Sequence, residues 1–243
     1  MKNLALPILI ILLALGTACS FAFTGTGANV TGSGRLVDKQ YDLTGFTRVE
    51  IGHGARLTIS QGAAFATTVT ADDNLSQYLI VEKRGDTLYI GLQPGSYRNF
   101  TLRANVTMPA VRGLILSGGS HTDIAGFRST EYLDLNISGG SQLDGELQAG
   151  VAAITASGGS RVTLKGASTG LSLNSSAGSP IELGEFVTTG NAGVTLSGGT
   201  RATINLSGRL DANLSGGSTL RYRGSPTLGT VNSSGGSQIS AAK

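Results

Sequence analysis

The sequence predicts an all-β protein, a parallel β-helix built from coils of about 20 residues. Three observations predict it: a composition rich in Gly, a four-residue motif present seven times, and apolar residues at alternate positions around the motifs. Gly accounts for 37 of the 243 residues, about twice the usual share of roughly 7%. Because each Gly inside a helix costs about 1 kcal/mol relative to Ala, this composition disfavours a helical bundle.

The N-terminal residues predict export. Lys2 precedes an uninterrupted apolar run from Leu4 to Leu15, and small residues follow the run. This is the pattern of a secretory signal, which we assign to residues 1–18. The lone cysteine, Cys19, comes next and has no partner for an internal disulfide. Residues 19–34, rich in Gly, Thr, Ser and Asn, predict a flexible tether.

The segment that ends at Cys19 resembles a bacterial lipoprotein signal, in which the Cys becomes the lipid-bearing N-terminus after cleavage. It departs from that pattern because Gly16 stands where Leu is preferred, and Leu15 lies one place earlier. The resemblance implies a membrane anchor through Cys19. The alternative is ordinary cleavage after Ala18 or Ala22, which leaves a soluble secreted protein.

Residues 35–113 lack the motif but predict short strands. Alternating apolar residues recur between turn signals such as Gly85-Asp86 and Pro94-Gly95. A solenoid needs an atypical end, since an uncovered terminal coil leaves a sheet edge exposed. We therefore expect these residues to form less regular β coils that cap the N-terminal end.

Residues 114–243 contain seven copies of Ser-Gly-Gly-Ser or a close variant, at intervals of 18 to 21 residues. The first position is always Ser and the third always Gly, while the fourth is Ser or Thr. A period near 20 residues is typical of a solenoid. The invariant positions are Ser117, Gly119, Ser138, Gly140, Ser157, Gly159, Ser176, Gly178, Ser197, Gly199, Ser215, Gly217, Ser234 and Gly236.

A strand with one buried face is predicted on each side of the motif. Apolar residues such as Leu133, Leu135 and Ile137 alternate with polar ones before it, and Val162 and Leu164 alternate after it. Stacking such coils at about 4.8 Å buries the apolar faces and aligns equivalent side chains in columns. We expect a right-handed β-helix, because β-crossovers overwhelmingly are. We also expect the corner serines to hydrogen-bond along the stack.

Several functions are disfavoured. A net charge of +3 without an aromatic and basic cluster argues against nucleic acid. The Gly-rich motifs are not phosphate loops, because no Lys-Ser/Thr and no helical pattern follows them. His53, in a turn, and His121, at an outward position, lie in different halves and supply little material for a nucleophilic triad. We predict no catalysis and no cofactor.

Two acidic groups are weak candidates for a cation site, and we assign no metal. Asp123 and Asp144 each lie six residues after the first Ser of a motif, so stacking places them on neighbouring coils. Such a pair can hold Ca²⁺ or cleave glycosidic bonds, and the alternative is a solvated face neutralised by Arg161. Asp72 and Asp73 form the densest acidic cluster, for which a turn bonded to the local backbone competes with a Ca²⁺ site.

Stretches outside the repeat resemble the bacterial GIN-domain family of autotransporter adhesin heads. They include Leu43–Phe46, Ala71–Leu75, Val106–Pro109 and Tyr222–Pro226, and the resemblance spans roughly residues 34 to 240. It implies a secreted or envelope-anchored β-helical protein with no established catalytic residues. The adhesin name itself transfers little mechanism.

Three functions stay open. The favoured one is a non-catalytic exported cell-envelope protein, anchored in the outer membrane or else periplasmic or secreted, that presents a β-helical surface to a glycan or protein. The alternatives are a polysaccharide-active β-helix enzyme, lyase or hydrolase, and a structural or sensory partner of an envelope complex. Because six residues follow the last motif without an obvious cap, we expect the last coil to pack on a second copy or a partner.

Overall fold

The computed structural model describes residues 28–242, which are all-β apart from one short 3₁₀ turn at Asp73–Leu75. The predicted signal (1–18), Cys19 and the first part of the predicted tether lie outside the described residues. No helix among residues 28–242 has the length and apolar character needed to cross a membrane. The strands are β1 (Ala28–Thr31), β2 (Leu36–Tyr41), β3 (Arg48–Ile51), β4 (Arg56–Gln61), β5 (Ala66–Asp72), β6 (Leu79–Arg84), β7 (Thr87–Leu92), β8 (Gly95–Arg98), β9 (Leu102–Met108), β10 (Gly113–Leu116), β11 (His121–Arg128), β12 (Leu133–Ile137), β13 (Gln142–Ala156), β14 (Arg161–Ser175), β15 (Pro180–Thr188), β16 (Ala192–Leu196), β17 (Arg201–Leu206), β18 (Arg209–Leu214), β19 (Thr219–Arg223), β20 (Thr227–Ser233) and β21 (Gln238–Ala241).

Stacked parallel coils form a β-solenoid of about six turns with a spacing near 20 residues, which confirms the predicted fold. Each coil of the repeat has one strand before its Ser-Gly-Gly-Ser corner and one after it, and each strand pairs in parallel with its equivalents on neighbouring coils. We call the two outward surfaces the pre-corner face and the post-corner face. The pre-corner face consists of β3, β7, β10, β12, the second parts of β13 and β14, β16, β18 and β20. The post-corner face consists of β4, β9, β11, the first parts of β13 and β14, β15, β17, β19 and β21.

Aliphatic side chains fill the interior in register. Leu135, Ile154, Leu173 and Val194 pair in succession on four coils, and all four are buried. Each such side chain contributes roughly 1.5–3 kcal/mol by leaving water. The ladder explains why the residues before each motif must alternate: the apolar positions face this interior and the polar positions face solvent.

The corner depends on a pair of left-handed glycines and a buried hydroxyl. In the corner that begins at Ser138, Gly139 and Gly140 have φ of +63° and +74°, a region in which a Cβ is strained. The Ser141 hydroxyl is buried and donates to the Ser138 carbonyl at 2.7 Å. All six corners from Ser117 to Ser218 make the same contact, at 2.6–2.9 Å.

This contact lies within one coil and was not predicted; the predicted hydrogen bonds along the stack also occur, as from the Ser138 hydroxyl to the Leu116 carbonyl at 3.3 Å. The inward hydroxyl lies three residues from the carbonyl that it bonds, so it closes its own corner, and in the corner at Ser138 the Ser141 backbone N–H donates to the same carbonyl at 3.3 Å. Backbone groups provide most of the link between neighbouring corners, as in the bond from the Gly119 N–H to the Gly139 carbonyl at 2.9 Å. Bonds between coils that use the hydroxyl are fewer, and one runs from the Ser120 N–H to the Ser141 hydroxyl at 3.2 Å.

Ala177 replaces the first glycine of one corner and keeps a positive φ of 54°. An L-residue in this region costs about 1–2 kcal/mol, whereas Gly favours the unfolded chain by about 0.4–1 kcal/mol. We therefore expect Ala177→Gly to stabilise the protein by about 0.5–1 kcal/mol, measured by urea unfolding. The control Ala153→Gly, in a regular strand, should destabilise by a similar amount; an Ala177→Gly protein less stable than the native one would contradict the strain.

The N-terminal part is less regular, as predicted, and caps the stack. The chain visits its coils out of spatial order: β7 and β9 lie on one side of β3 and β4, while β10 and β11 lie on the other. β6 then pairs antiparallel with β7, and β5 with β9 and β2. The resulting edge strands carry charged residues such as Lys39 and Lys83, which disfavour pairing with another chain.

Residues 28–31 depart from the tether predicted for residues 19–34. They form β1, which pairs in parallel with β8. Backbone hydrogen bonds make this pairing, and a four-residue segment with only Ala28 and Val30 as apolar residues gives a weak sequence signal for it.

At the other end of the described residues, β20 pairs with β18 and β21 with β19. The side chain of Leu228, on β20, is 50% exposed. The prediction that another molecule packs on this coil stays a prediction.

Candidate functional site

The post-corner face arranges its outward side chains in two columns. The register of the strands matches the one that the repeat predicted. In chain order, one column holds Arg56, His121, Gln142, Arg161, Pro180, Arg201 and Thr219, and the other holds Thr58, Asp123, Asp144, Thr163, Glu182, Thr203 and Arg221.

His121, Asp123 and Asp144 converge at the centre of this face. His121 and Asp123 lie two residues apart on β11, so they share a face, and Asp144 is the register partner of Asp123 on β13. The His121 Nε2 atom lies 3.4 Å from a carboxylate oxygen of Asp123 and 3.8 Å from one of Asp144. The Gln142 amide donates to the same Asp144 oxygen at 2.6 Å. Three potential metal ligands thus lie within 4.8 Å of one another.

This arrangement differs from the predicted neutralisation of the Asp pair by Arg161. Among the described residues, no ion pair within 4.0 Å joins Arg161 to Asp123 or Asp144. Sequence reasoning considered the Asp pair and His121 separately, and so missed that they form one group. The sequence does contain the signal: His121 and Asp123 are two residues apart and so share a strand face, and Asp144 follows Asp123 by 21 residues and so lies beside it on the next coil.

The second acidic group has a structural role. Asp72 is buried, and its two carboxylate oxygens accept hydrogen bonds from the backbone N–H groups of Gly34 and Thr101, each at 2.6 Å. The carboxylate thus joins the segment that follows β1 to the segment that precedes β9. The sequence offered two roles for this carboxylate, a local turn or a Ca²⁺ site. In the structure it instead clamps two segments that are distant in sequence.

Asp73 and Asn74 extend the clamp. Asp73 accepts hydrogen bonds from the Ser33 hydroxyl and the Arg35 guanidinium, and these bonds lower the pKa of its carboxyl below the ordinary value. The Asn74 amide donates to the Thr31 carbonyl at 2.8 Å. Protein donors therefore occupy the carboxylates that the sequence made candidate Ca²⁺ ligands.

Replacing Asp72 by Asn should destabilise the protein by about 1.5–3 kcal/mol, the usual contribution of a buried hydrogen bond to a charged group. The new amide nitrogen cannot accept the hydrogen bond that one carboxylate oxygen now receives. Urea unfolding measures the loss, and Asp73→Asn, on the exposed side of the clamp, is the control and should cost much less, because solvent screens an exposed ion pair. Equal losses in the two variants would contradict the assignment of the clamp to Asp72.

The pre-corner face is mostly uncharged along the repeat. Of its outward columns, one holds two carboxylates, Asp134 and Asp211. The other runs from β12 to β20 and consists of Asn and Thr, one on each coil: Asn136, Thr155, Asn174, Thr195, Asn213 and Asn232. The last four line a shallow groove of about 300 Å³. Sequence reasoning used these residues only as the polar half of an alternation and assigned them no role.

A charged groove of about 340 Å³ lies farther along the post-corner face. Lys165 and Glu185 pair across it at 2.8 Å. The hydrogen bond from Lys165 lowers the pKa of the Glu185 carboxyl, and the same bond raises the pKa of the lysine. Arg221 and Arg223 line the groove as well. The two grooves therefore differ in chemistry: the pre-corner groove is rich in amides and hydroxyls with one carboxylate, Asp211, whereas the other groove carries charged side chains of both signs.

Solved structures share this fold. A "putative adhesin" from Bacteroides fragilis is 21% identical, with a TM-score of 0.82 over 88% of this chain and 100% of that one. A "putative lipid binding protein" from Parabacteroides distasonis is 16% identical, with a TM-score of 0.75 over 89% and 100% of the two chains. A "putative adhesin" from Parabacteroides merdae is 17% identical, with a TM-score of 0.70 over 88% and 99%. At these identities the likeness concerns the fold.

No curated protein matches the chain. A family match nevertheless covers residues 45–226. It includes the capping coils as well as most of the Ser-Gly-Gly-Ser repeat, so it does not depend on the repeat alone. The chain therefore belongs to the family described as "Putative auto-transporter adhesin, head GIN domain".

Proposed function

We propose that the protein is a non-catalytic, exported adhesin of the cell envelope whose pre-corner face binds an uncharged glycan. The observation that carries the proposal is the column of Asn and Thr on successive coils, with its groove lined by Asn174, Thr195 and Asn213. Membership of an adhesin family supports the same function.

The chemistry of the column suits a polymer rich in hydroxyl groups. Asn offers both amide donors and a carbonyl acceptor, and Thr offers a hydroxyl. The strand spacing repeats these groups about every 4.8 Å, so an extended ligand can bond to several coils at once, and weak contacts add through linkage. We expect recognition by hydrogen bonds, because the side chains that line the groove include no aromatic ring.

The binding test compares matched double variants on the two faces. Asn174→Ala with Asn213→Ala should weaken binding to neutral polysaccharides at least tenfold in a glycan panel, since two of the stacked amides are lost. The control, Thr163→Ala with Thr203→Ala on the post-corner face, should bind like the native chain. Equal binding by all three proteins, or binding confined to acidic polysaccharides, would contradict the proposed face.

Export and anchoring are part of the proposal, and they rest on the N-terminal pattern around Cys19. We propose that Cys19 carries a lipid that holds the protein in the outer membrane. Intact mass and membrane fractionation of the mature protein test it. The native chain should gain acyl mass and sediment with membranes, whereas Cys19→Ser should do neither. A native mature chain of unmodified mass would contradict the proposed lipid anchor.

The alternative of a polysaccharide-active enzyme has less support. Its carboxylate candidates, Asp123 and Asp144, lie on a sheet face, where Asp144 bonds Gln142 and approaches His121. The remaining alternative, a partner in an envelope complex, predicts co-purification from solubilised membranes.

We also propose that the coil bearing the exposed Leu228 packs on a second copy of the chain. Leu228→Asp should then dissociate the dimer in sedimentation analysis.

A further inference from the structure

We propose that His121, Asp123 and Asp144 form a binding site for one Zn²⁺ ion on the post-corner face. The site is independent of the glycan face, since it lies on the other row of strands. Nothing in the proposed adhesion uses these three side chains, and the structure gives them a geometry that a solvated acidic face does not require.

The separations match the coordination sphere of zinc. Zn²⁺ binds His nitrogen and carboxylate oxygen at about 2.0–2.2 Å in tetrahedral sites, which places neighbouring ligand atoms about 3.4 Å apart. The His121 Nε2 atom lies 3.4 Å and 3.8 Å from oxygens of Asp123 and Asp144. All three ligand atoms lie within 4.8 Å, and the side chains are partly or fully exposed, so small rotations complete the site, and water supplies the fourth ligand.

The donor set favours zinc over calcium. Ca²⁺ takes six to eight oxygen ligands at about 2.3–2.6 Å, whereas this site offers one imidazole nitrogen and two carboxylates. Imidazole suits Zn²⁺ and its neighbours among the transition metals. One neutral imidazole and two carboxylates also leave two negative charges, which a divalent cation balances.

Gln142 acts as a positioning residue. Its amide donates to Asp144 at 2.6 Å and so fixes the carboxylate that comes from the second coil. Hydrogen bonds of this kind orient metal ligands, and their loss typically costs about 10- to 100-fold in metal affinity.

No basic side chain of the described neighbouring coils forms an ion pair with the two carboxylates of the site. Arg56 and Thr58 on β4 lie in register on one side, and Arg161 and Thr163 on β14 lie on the other. Both arginines are exposed, and neither forms an ion pair with the two carboxylates among the described residues. A bound ion would join β11 to β13 and so link two coils that otherwise meet through backbone hydrogen bonds.

The test is a titration of the full chain with ZnCl₂, in a Cys19→Ser background so that the thiol cannot bind the metal. We expect one Zn²⁺ per chain, a higher melting temperature with zinc, and shifted NMR signals of the His121 ring. Asp144→Asn and His121→Gln should each lower the affinity at least tenfold. Glu182→Gln, in the same column but outside the site, is the matched control and should bind like the parent.

Saturable binding that Asp144→Asn and His121→Gln both weaken supports the site. Co²⁺ bound in place of Zn²⁺ should then show the visible absorption bands of a four-coordinate tetrahedral site. Absence of saturable zinc binding by the parent chain, binding by either variant that is as tight as the parent's, or a preference for Ca²⁺ would each overturn the proposal. Circular dichroism of each variant will check that it keeps the fold, so that a loss of binding reports on the ligands.

Discussion

Gly166→Ala is expected to destabilise the solenoid by about 3–5 kcal/mol, a large part of the stability of a typical domain. Gly166 has φ of +110°, and a Cβ built there lies 2.0 Å from the carbonyl oxygen of Leu147 on the neighbouring coil. A strained backbone conformation alone costs about 1–3 kcal/mol. The overlap adds to that cost, because Leu147 is the register partner of Gly166 and both backbones are held by pairing.

The matched control is Gly119→Ala at a corner. Gly119 also has a positive φ, +77°, but a Cβ there meets nothing within 4 Å. It should cost only the strain of a left-handed L-residue, about 1–2 kcal/mol. Urea unfolding of both proteins separates strain from overlap, and similar losses in the two would contradict the close approach of the coils at Gly166.

Phe186→Ala should cost about 3–5 kcal/mol, the usual loss for removing a large buried ring. Phe186 is fully buried, whereas the next residue on the same strand, Val187, is 41% exposed. Val187→Ala is therefore the control and should change the free energy of unfolding by about 0.5 kcal/mol or less.

Calorimetry or urea unfolding measures both changes. The result that would contradict the described interior is a Phe186→Ala protein as stable as Val187→Ala, because alternation along β15 would then be reversed. Phe186 is the register partner of Gly166, so the effects of the two large substitutions are not expected to add.

The repeating half is predictable from sequence because one local rule governs every coil. The residues before each corner, such as Leu135, alternate with polar ones, and the stack then fixes their register. A pattern of two residues combined with one of about 20 is therefore enough to predict that Asp123 lies beside Asp144, as the pairing of β11 with β13 confirms.

The capping half could not be predicted in the same detail, because its order in space depends on contacts between distant segments. Nothing local places β3 between β7 and β10. The clamp on Asp72 escaped sequence reasoning for the same reason, since its partners Gly34 and Thr101 lie 38 and 29 residues away. His121 joins the acidic pair only when the strand face and the stack are considered together.

Disulfide formation between engineered cysteines tests the central claim, the stacking of successive coils, most directly. Asn174 and Thr195 are register partners on neighbouring coils, and Asn213 lies one coil farther. Strands about 4.8 Å apart fall within the range of about 4.4–6.8 Å between Cα atoms that a disulfide spans, whereas two coils exceed it.

In a Cys19→Ser background, mild oxidation should close the intramolecular disulfide in Asn174→Cys/Thr195→Cys and leave Asn174→Cys/Asn213→Cys reduced, as mass spectrometry of the monomer will show. Residues 21 positions apart in the sequence would then be neighbours, as the solenoid requires. Equal oxidation of the two pairs, or closure of only the more distant one, would contradict the stack.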